Sequence, residues 1–175
     1  MTKEMKLANS AELDDRSLVV TRTFDAPRDL VFDAFTDPKR IANWWGPRGC
    51  TVVSCDMDLR IGGAWAIAMR SRRTMGNFKT RYGGSGDSEW IVERQRGEYR
   101  EIVRPERLVF TYTFLDEAGQ PIHETLVTIT LSEERGKTTL MLHQASFESS
   151  SVCNDHIIGW NEALDRMIES LGTRH

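Results

Sequence analysis

At 175 residues, 39% hydrophobic and 28% charged, the chain is long enough for one well-buried core and too apolar to stay disordered. Its net charge of −3 comes with no block of basic residues, so it lacks the concentrated positive face that nucleic-acid backbones require. No apolar run approaches the roughly 20 residues of a membrane span, and the opening MTKEMKLANSAELDD has no apolar signal-peptide centre, so a cytoplasmic protein with residues 1–16 as a flexible tail is expected.

Ser17–Phe24 (SLVVTRTF) is β-branched and partly alternating, and reads as a strand. Asp25-Ala26-Pro27 supplies helix-start chemistry, and Leu30, Val31, Ala34 and Phe35 follow at helical spacing. Thr36-Asp37-Pro38 repeats the signal, which predicts a second short helix carrying Ile41 and reaching Trp44 before Gly46-Pro47 stops it. From Thr51 the period becomes two, with Thr51, Val53, Cys55, Met57 and Leu59 as the mostly apolar set. Arg60-Ile61-Gly62-Gly63 turns the chain into Ala64–Arg70, where Trp65, Ile67 and Met69 alternate with three alanines.

Ser71–Ser88 breaks the pattern, basic at Arg72, Arg73, Lys79 and Arg81 and glycine-rich at its end. It reads as a solvated hairpin tip, with a lid or anion-contacting loop as the alternative. Strands resume over Glu89–Val103, bent near Gly97. Arg104-Pro105-Glu106 turns into a segment where Leu108, Phe110, Tyr112 and Phe114 are in phase; Glu124–Ser132 and Lys137–Ser146 continue the meander. Ser149-Ser150-Ser151 offers N-cap chemistry to a long amphipathic helix on which Cys153, Ile157, Trp160, Leu164, Met167, Ile168 and Leu171 recur, ending at Gly172. The whole is an α+β pattern of about seven antiparallel strands whose aromatic face is the only partner large enough for that helix.

Three cysteines, Cys50, Cys55 and Cys153, make an odd set without a secretory signal, and free buried thiols are expected rather than disulfides. The histidines His123, His143, His156 and His175 lack metal-ligand spacing, so neither a metal nor a cofactor is expected. Asp155-His156 reads as a capped, solvated first helical turn rather than an acid/base pair, because neighbours on a helix diverge by about 100°. No nucleophile elbow or nucleotide-binding glycine loop is present, and no catalytic residue is assigned. Adjacent tryptophans at Trp44 and Trp45 pose a separate problem, since two neighbouring indoles cannot easily enter one pocket.

The order of motifs Phe24-Asp25-Ala26-Pro27-Arg28, Thr36-Asp37-Pro38, Trp44-Trp45-Gly46-Pro47, Met57-Asp58-Leu59-Arg60-Ile61-Gly62-Gly63, Pro105-Glu106-Arg107-Leu108-Val109-Phe110 and Gly159-Trp160-Asn161-Glu162-Ala163-Leu164 resembles the activator of heat-shock protein 90 ATPase homologue family. That family lies in the START-like (SRPBCC) superfamily, which includes birch-pollen-allergen and polyketide-cyclase relatives. The resemblance spans about residues 17–172 and implies a single helix-grip domain: a curved antiparallel sheet wrapped on the C-terminal helix, with two short helices after the first strand. It also implies a hydrophobic cavity between sheet and helix. The eukaryotic co-chaperones of the family carry an additional N-terminal domain that contacts the chaperone, where this sequence has about fifteen residues.

In that architecture one of Trp44 and Trp45 is expected to pack under the short helices and the other to border the cavity, with both as core and rim packing around no ligand as the alternative. The candidate ligand-lining residues are Trp45, Met57, Trp65, Ile67, Met69, Phe110, Tyr112, Trp160 and Leu164, with Tyr99, Tyr112 and His143 as polar members. Three functions are open at this point: non-catalytic binding of a small hydrophobic or amphipathic molecule, a stress-related protein-interaction module engaging a chaperone or another protein, and a cyclase- or hydrolase-like enzyme. The sequence leaves monomer and homodimer equally open.

Overall fold

The structure, a computed structural model, describes residues 15–73 and 89–172. Its elements are β1 (Leu18–Phe24), α1 (Arg28–Thr36), α2 (Pro38–Ile41), β2 (Thr51–Met57), β3 (Ala64–Arg72), β4 (Trp90–Val103), β5 (Arg107–Phe114), β6 (Thr125–Glu134), β7 (Lys137–Ala145) and α3 (Ser150–Gly172). The seven strands form one antiparallel sheet in the order β1-β7-β6-β5-β4-β3-β2. Sequential strands from β2 to β7 are neighbours, and β1 closes the far edge against β7, as a meander with one long return requires. This is the helix-grip arrangement, and most of the Ser71–Ser88 stretch lies outside the described residues.

Local chemistry explains the helix starts. Asp37 accepts a hydrogen bond from the Lys39 backbone N–H at 3.0 Å, with Pro38 preset for the first helical position. Regular helix ends at Ile41, and the turn is carried on by Trp44 and Trp45, whose backbone N–H groups both donate to the Ile41 carbonyl. No side chain caps α1; the Arg28 N–H donates instead to Glu133 Oε1 at 2.7 Å, a partner 105 residues away that no local pattern could name. Ser149 Oγ accepts from the Val152 N–H at 3.2 Å and caps α3.

Two strand irregularities shape the sheet. In β2 the register shifts between Val52 and Ser54, so Val53 is an extra residue left 49% exposed. The inward set is therefore Val52, Cys55 and Met57, which corrects the strict alternation expected from Thr51 through Leu59. In β4 the register shifts between Tyr99 and Glu101, just past the Gly97 expected from sequence, while at Gly97 itself an added Cβ would lie 1.7 Å from the Thr111 carbonyl oxygen and 2.4 Å from Trp65 Nε1. Only glycine lets the two strands close there. Next to it the Glu98 N–H donates to Thr111 Oγ1 at 2.9 Å.

The long helix is held on both flanks. On one side Arg22 of β1 donates to Asp165 Oδ1 at 2.5 Å and Asn161 Oδ1 at 2.6 Å. On the other, the Arg166 guanidinium donates from Nη1 to the carbonyls of Trp45 (3.2 Å), Gly46 (2.9 Å) and Pro47 (3.2 Å). Burial pulls the Arg166 pKa down, while Arg48, hydrogen-bonded to Glu169, is raised and Glu169 is lowered. Between these clamps lies the core.

Candidate functional site

The core under α3 is an interlocked set of rings. Trp45 contacts Trp160 edge-on with centroids 5.4 Å apart and Trp65 at 5.9 Å; Trp65 in turn meets Phe110 and Tyr112, each at 5.6 Å. Such edge-to-face pairs each contribute about 0.5–1.5 kcal/mol beyond their buried area. The tryptophan pair divides cleanly. Trp44 turns under α1, its indole N–H donating to the Ala34 carbonyl at 3.0 Å and its ring against Phe35 at 4.8 Å. Trp45 turns into the space between sheet and helix, where its N–H donates to Gln95 Oε1 at 2.7 Å.

Of the residues named from sequence, Trp45, Trp65, Ile67, Met69, Tyr99, Phe110, Tyr112, Trp160 and Leu164 are buried together in this cluster, and Met57 packs against it half-buried. His143 does not join them. Leu142 and Gln144 are the inward residues of β7, so the period of two puts His143 on the outer face, opposite Val19 and Thr128.

The residues that sequence reasoning missed are the polar ones. Gln95 and Gln144 are fully buried, and Gln144 accepts from the Trp160 indole N–H at 2.7 Å while donating to Thr125 Oγ1 at 2.8 Å. His156, expected in a solvated turn, is buried against Phe147, Phe114 and Tyr112, with Nδ1 2.9 Å from the Val152 carbonyl. Its place follows from the Val152–His156–Trp160 spacing of four on the buried stripe of α3. Gln95 shares parity with Tyr99 and Ile91 on β4, and that alternation was the available signal.

Side chains nearly fill the interior. A void of about 30 Å³ lies between the Gly46-Pro47 turn and α3 at Gly159 and Trp160, touched by Trp45, Gln95, Tyr112 and His156. A second, of about 10 Å³, also touches Trp45 and lies against Trp65, Tyr99 and Phe110. One water needs about 10–15 Å³ on this measure, so neither void takes an organic ligand as it stands. Burial pushes the Tyr99 phenol well above its usual range, and the Cys55 thiol up to about 11, with Asp56 and Asp37 adding to it. Both stay protonated at neutral pH, which suits a wall rather than a nucleophile. Among the described residues, no group of three or more His, Cys, Asp or Glu could hold a metal ion, and no helix is long and apolar enough to cross a membrane.

Residues 25–172 match the protein family described as activator of Hsp90 ATPase homolog 1-like protein. Curated proteins gave no significant match. Among solved structures, the AHSA1 protein of Silicibacter pomeroyi is similar at TM-score 0.72 and 22% identity, covering 91% of this chain and 99% of its own. Protein Ms6760 of Mycobacterium smegmatis gives 0.71 at 22%, covering 94% and 95%, and CV1439 of Chromobacterium violaceum gives 0.69 at 24%, covering 88% and 96%. At these identities the structures establish a shared fold and nothing of its role. With a family match over most of its length, the chain belongs to the activator of Hsp90 ATPase homolog 1-like family.

Proposed function

We propose that the protein binds a small hydrophobic or amphipathic molecule between the sheet and α3, without chemistry on it. The observation that carries this reading is the aromatic cluster itself. Rings of Trp45, Trp65, Phe110, Tyr112 and Trp160 pack around two buried amides, Gln95 and Gln144, with two small voids that Trp45 lines. Apolar walls with a few fixed polar groups are the composition of a small-molecule site. Buried amides are costly unless paired, and here each is paired with an indole N–H, so they orient rings rather than activate a reacting atom. Binding then requires the rings to part. The test is native mass spectrometry of gently purified protein, with identification of any molecule released on denaturation. A stoichiometric adduct that is lost in folded Trp160→Ala supports the reading. Clean protein from several expression hosts, together with no binding of apolar probes, contradicts it.

A second reading, a protein-interaction module, draws on the outer face, where Val19, Leu126 and Met141 are each at least 40% exposed. Thr21, Thr128 and His143 interrupt that face, which ranks it second. Retention of a chaperone on immobilised protein, abolished by Met141→Lys, supports it.

A further inference from the structure

We infer that Trp45 is a displaceable plug occupying its own ligand's place, so that the bound molecule is flat, about the size of two fused rings, and carries an N–H or O–H donor for Gln95. This rests on the ligand-binding reading above and specifies the ligand class.

Trp45 lines both voids and is the one lining residue they share, so withdrawing its ring opens each of them toward the space of the indole. The other core tryptophans cannot do this at comparable cost. Trp65 stands on a central strand and donates to a strand carbonyl at Thr111; Trp160 belongs to α3; Trp44 is sealed under α1. Trp45 sits in the irregular stretch between α2 and β2, where no strand ladder holds it and its backbone N–H makes a single hydrogen bond, to the Ile41 carbonyl at 3.0 Å. Gly46 at φ +88° and Gly49 at φ +89° bracket the following turn, giving it torsional range that other residues lack. What holds the stretch shut lies outside the core: Arg166 on three consecutive carbonyls, Arg48 on Glu169, and the Arg48 N–H on Glu162 Oε1 at 3.2 Å.

Inside, Gln95 defines what can replace the indole. Its Oε1 takes the Trp45 N–H at 2.7 Å, while its Nε2 has the soft Met69 sulfur at 3.6 Å. A replacement ring that donates to Oε1 restores the hydrogen bond, and one with an adjacent acceptor gives Nε2 a stronger partner than sulfur. A donor-free ring leaves a buried carbonyl unpaired, which is the larger penalty. Stacking with Trp65, Tyr112 and Trp160 is returned by any flat aromatic.

The experiment uses the full chain with indole and its donor-free isostere benzofuran as probes, titrated by calorimetry. Trp45→Ala is expected to bind indole about tenfold or more tighter than the wild type, because the closed plug no longer competes. Indole is expected to exceed benzofuran about tenfold, the equivalent of one buried hydrogen bond, and the preference to vanish with Gln95→Leu added. A buried tryptophan with only a structural role would also leave an indole-shaped hole, so the wild type supplies the deciding readout. In protein labelled with 5-fluorotryptophan, saturating indole should move the Trp45 fluorine signal to a solvent-exposed position and leave that of Trp44 in place. Arg166→Met, which loosens the turn without emptying the core, should raise wild-type indole affinity and serves if Trp45→Ala fails to fold. An unmoved Trp45 signal at saturation, equal affinity for indole and benzofuran, or no indole binding by any of these proteins overturns the plug. A co-purified acyl chain lying beside an undisplaced Trp45 overturns it while leaving the ligand-binding reading intact.

Discussion

Replacing Gly97 by alanine is the perturbation whose cost follows most directly from the geometry. The new Cβ would sit 1.7 Å from the Thr111 carbonyl oxygen and 2.4 Å from Trp65 Nε1, neither of them the far end of a flexible side chain. Relieving both contacts requires β5 to move off β4 and Trp65 to shift, giving up its 3.0 Å hydrogen bond to that same carbonyl. Losing the bond costs about 1–1.5 kcal/mol, and overpacking a closed core typically costs about 1–3 kcal/mol. Together these give about 2–4.5 kcal/mol, which for a domain of this size lowers Tm by about 4–18 °C. Urea unfolding followed by tryptophan fluorescence, alongside calorimetric Tm, measures both. Gly119→Ala is the control: its φ is +82° and nothing lies within 4 Å, so only backbone strain of about 1 kcal/mol is expected. A Gly97→Ala protein within 2 °C of the wild type, or no worse than Gly119→Ala, would refute the close-approach argument.

Three further outcomes follow from the buried polar groups. Gln144→Leu strands the Trp160 indole N–H inside the core and should cost about 1–3 kcal/mol in urea unfolding, with a changed Trp160 emission. Tyr99 has a raised folded-state pKa because burial disfavours the phenolate, so its contribution is intact below the ordinary tyrosine value near 10 and is lost as pH rises beyond it. Denaturation curves from pH 9 to 12 should show less alkaline loss in Tyr99→Phe than in the wild type. Cys55, with its pKa pushed up to about 11, should react with iodoacetamide at pH 8 much more slowly than a free thiol, and Asp56→Asn should speed it modestly. Equal rates in all three would contradict the burial assigned to it.

Much of the fold was legible because hydrophobic period is a local signal. Trp65, Ile67 and Met69 against three alanines, or Cys153, Trp160, Leu164 and Met167 on α3, state their buried faces outright, although Ile168 of the same expected stripe is 38% exposed. The misreadings have local causes too. One extra residue at Val53 inverts the parity of the first half of β2, and a bulge leaves no mark in composition. His143 was chosen for its chemistry although Leu140 and Leu142 fix the inward parity of β7. Gln95, Gln144 and His156 run against the rule that polar residues are usually outside; parity on β4 and β7 and spacing on α3 point them inward, and the pairing of the two glutamines with Trp45 and Trp160 shows what satisfies them there. The partition of Trp44 and Trp45 follows from geometry alone, whereas an open cavity and a filled core are equally compatible with the sequence, since summed side-chain packing is invisible to sequence pattern.

The central claim, that the space between sheet and α3 receives a small apolar molecule, is tested most directly by the five indole N–H signals in a ¹H–¹⁵N correlation spectrum. Four of these tryptophans are buried in the core, whereas Trp90 is 41% exposed on the outer face between Arg70 and Arg72, so the molecule carries its own reference. On titration with indole, 2-naphthol and dodecanoate in turn, at least one probe should shift the Trp45 and Trp160 signals saturably while Trp90 stays fixed. Movement of Trp90 alone, or of none of the five with any probe, would contradict an internal binding site.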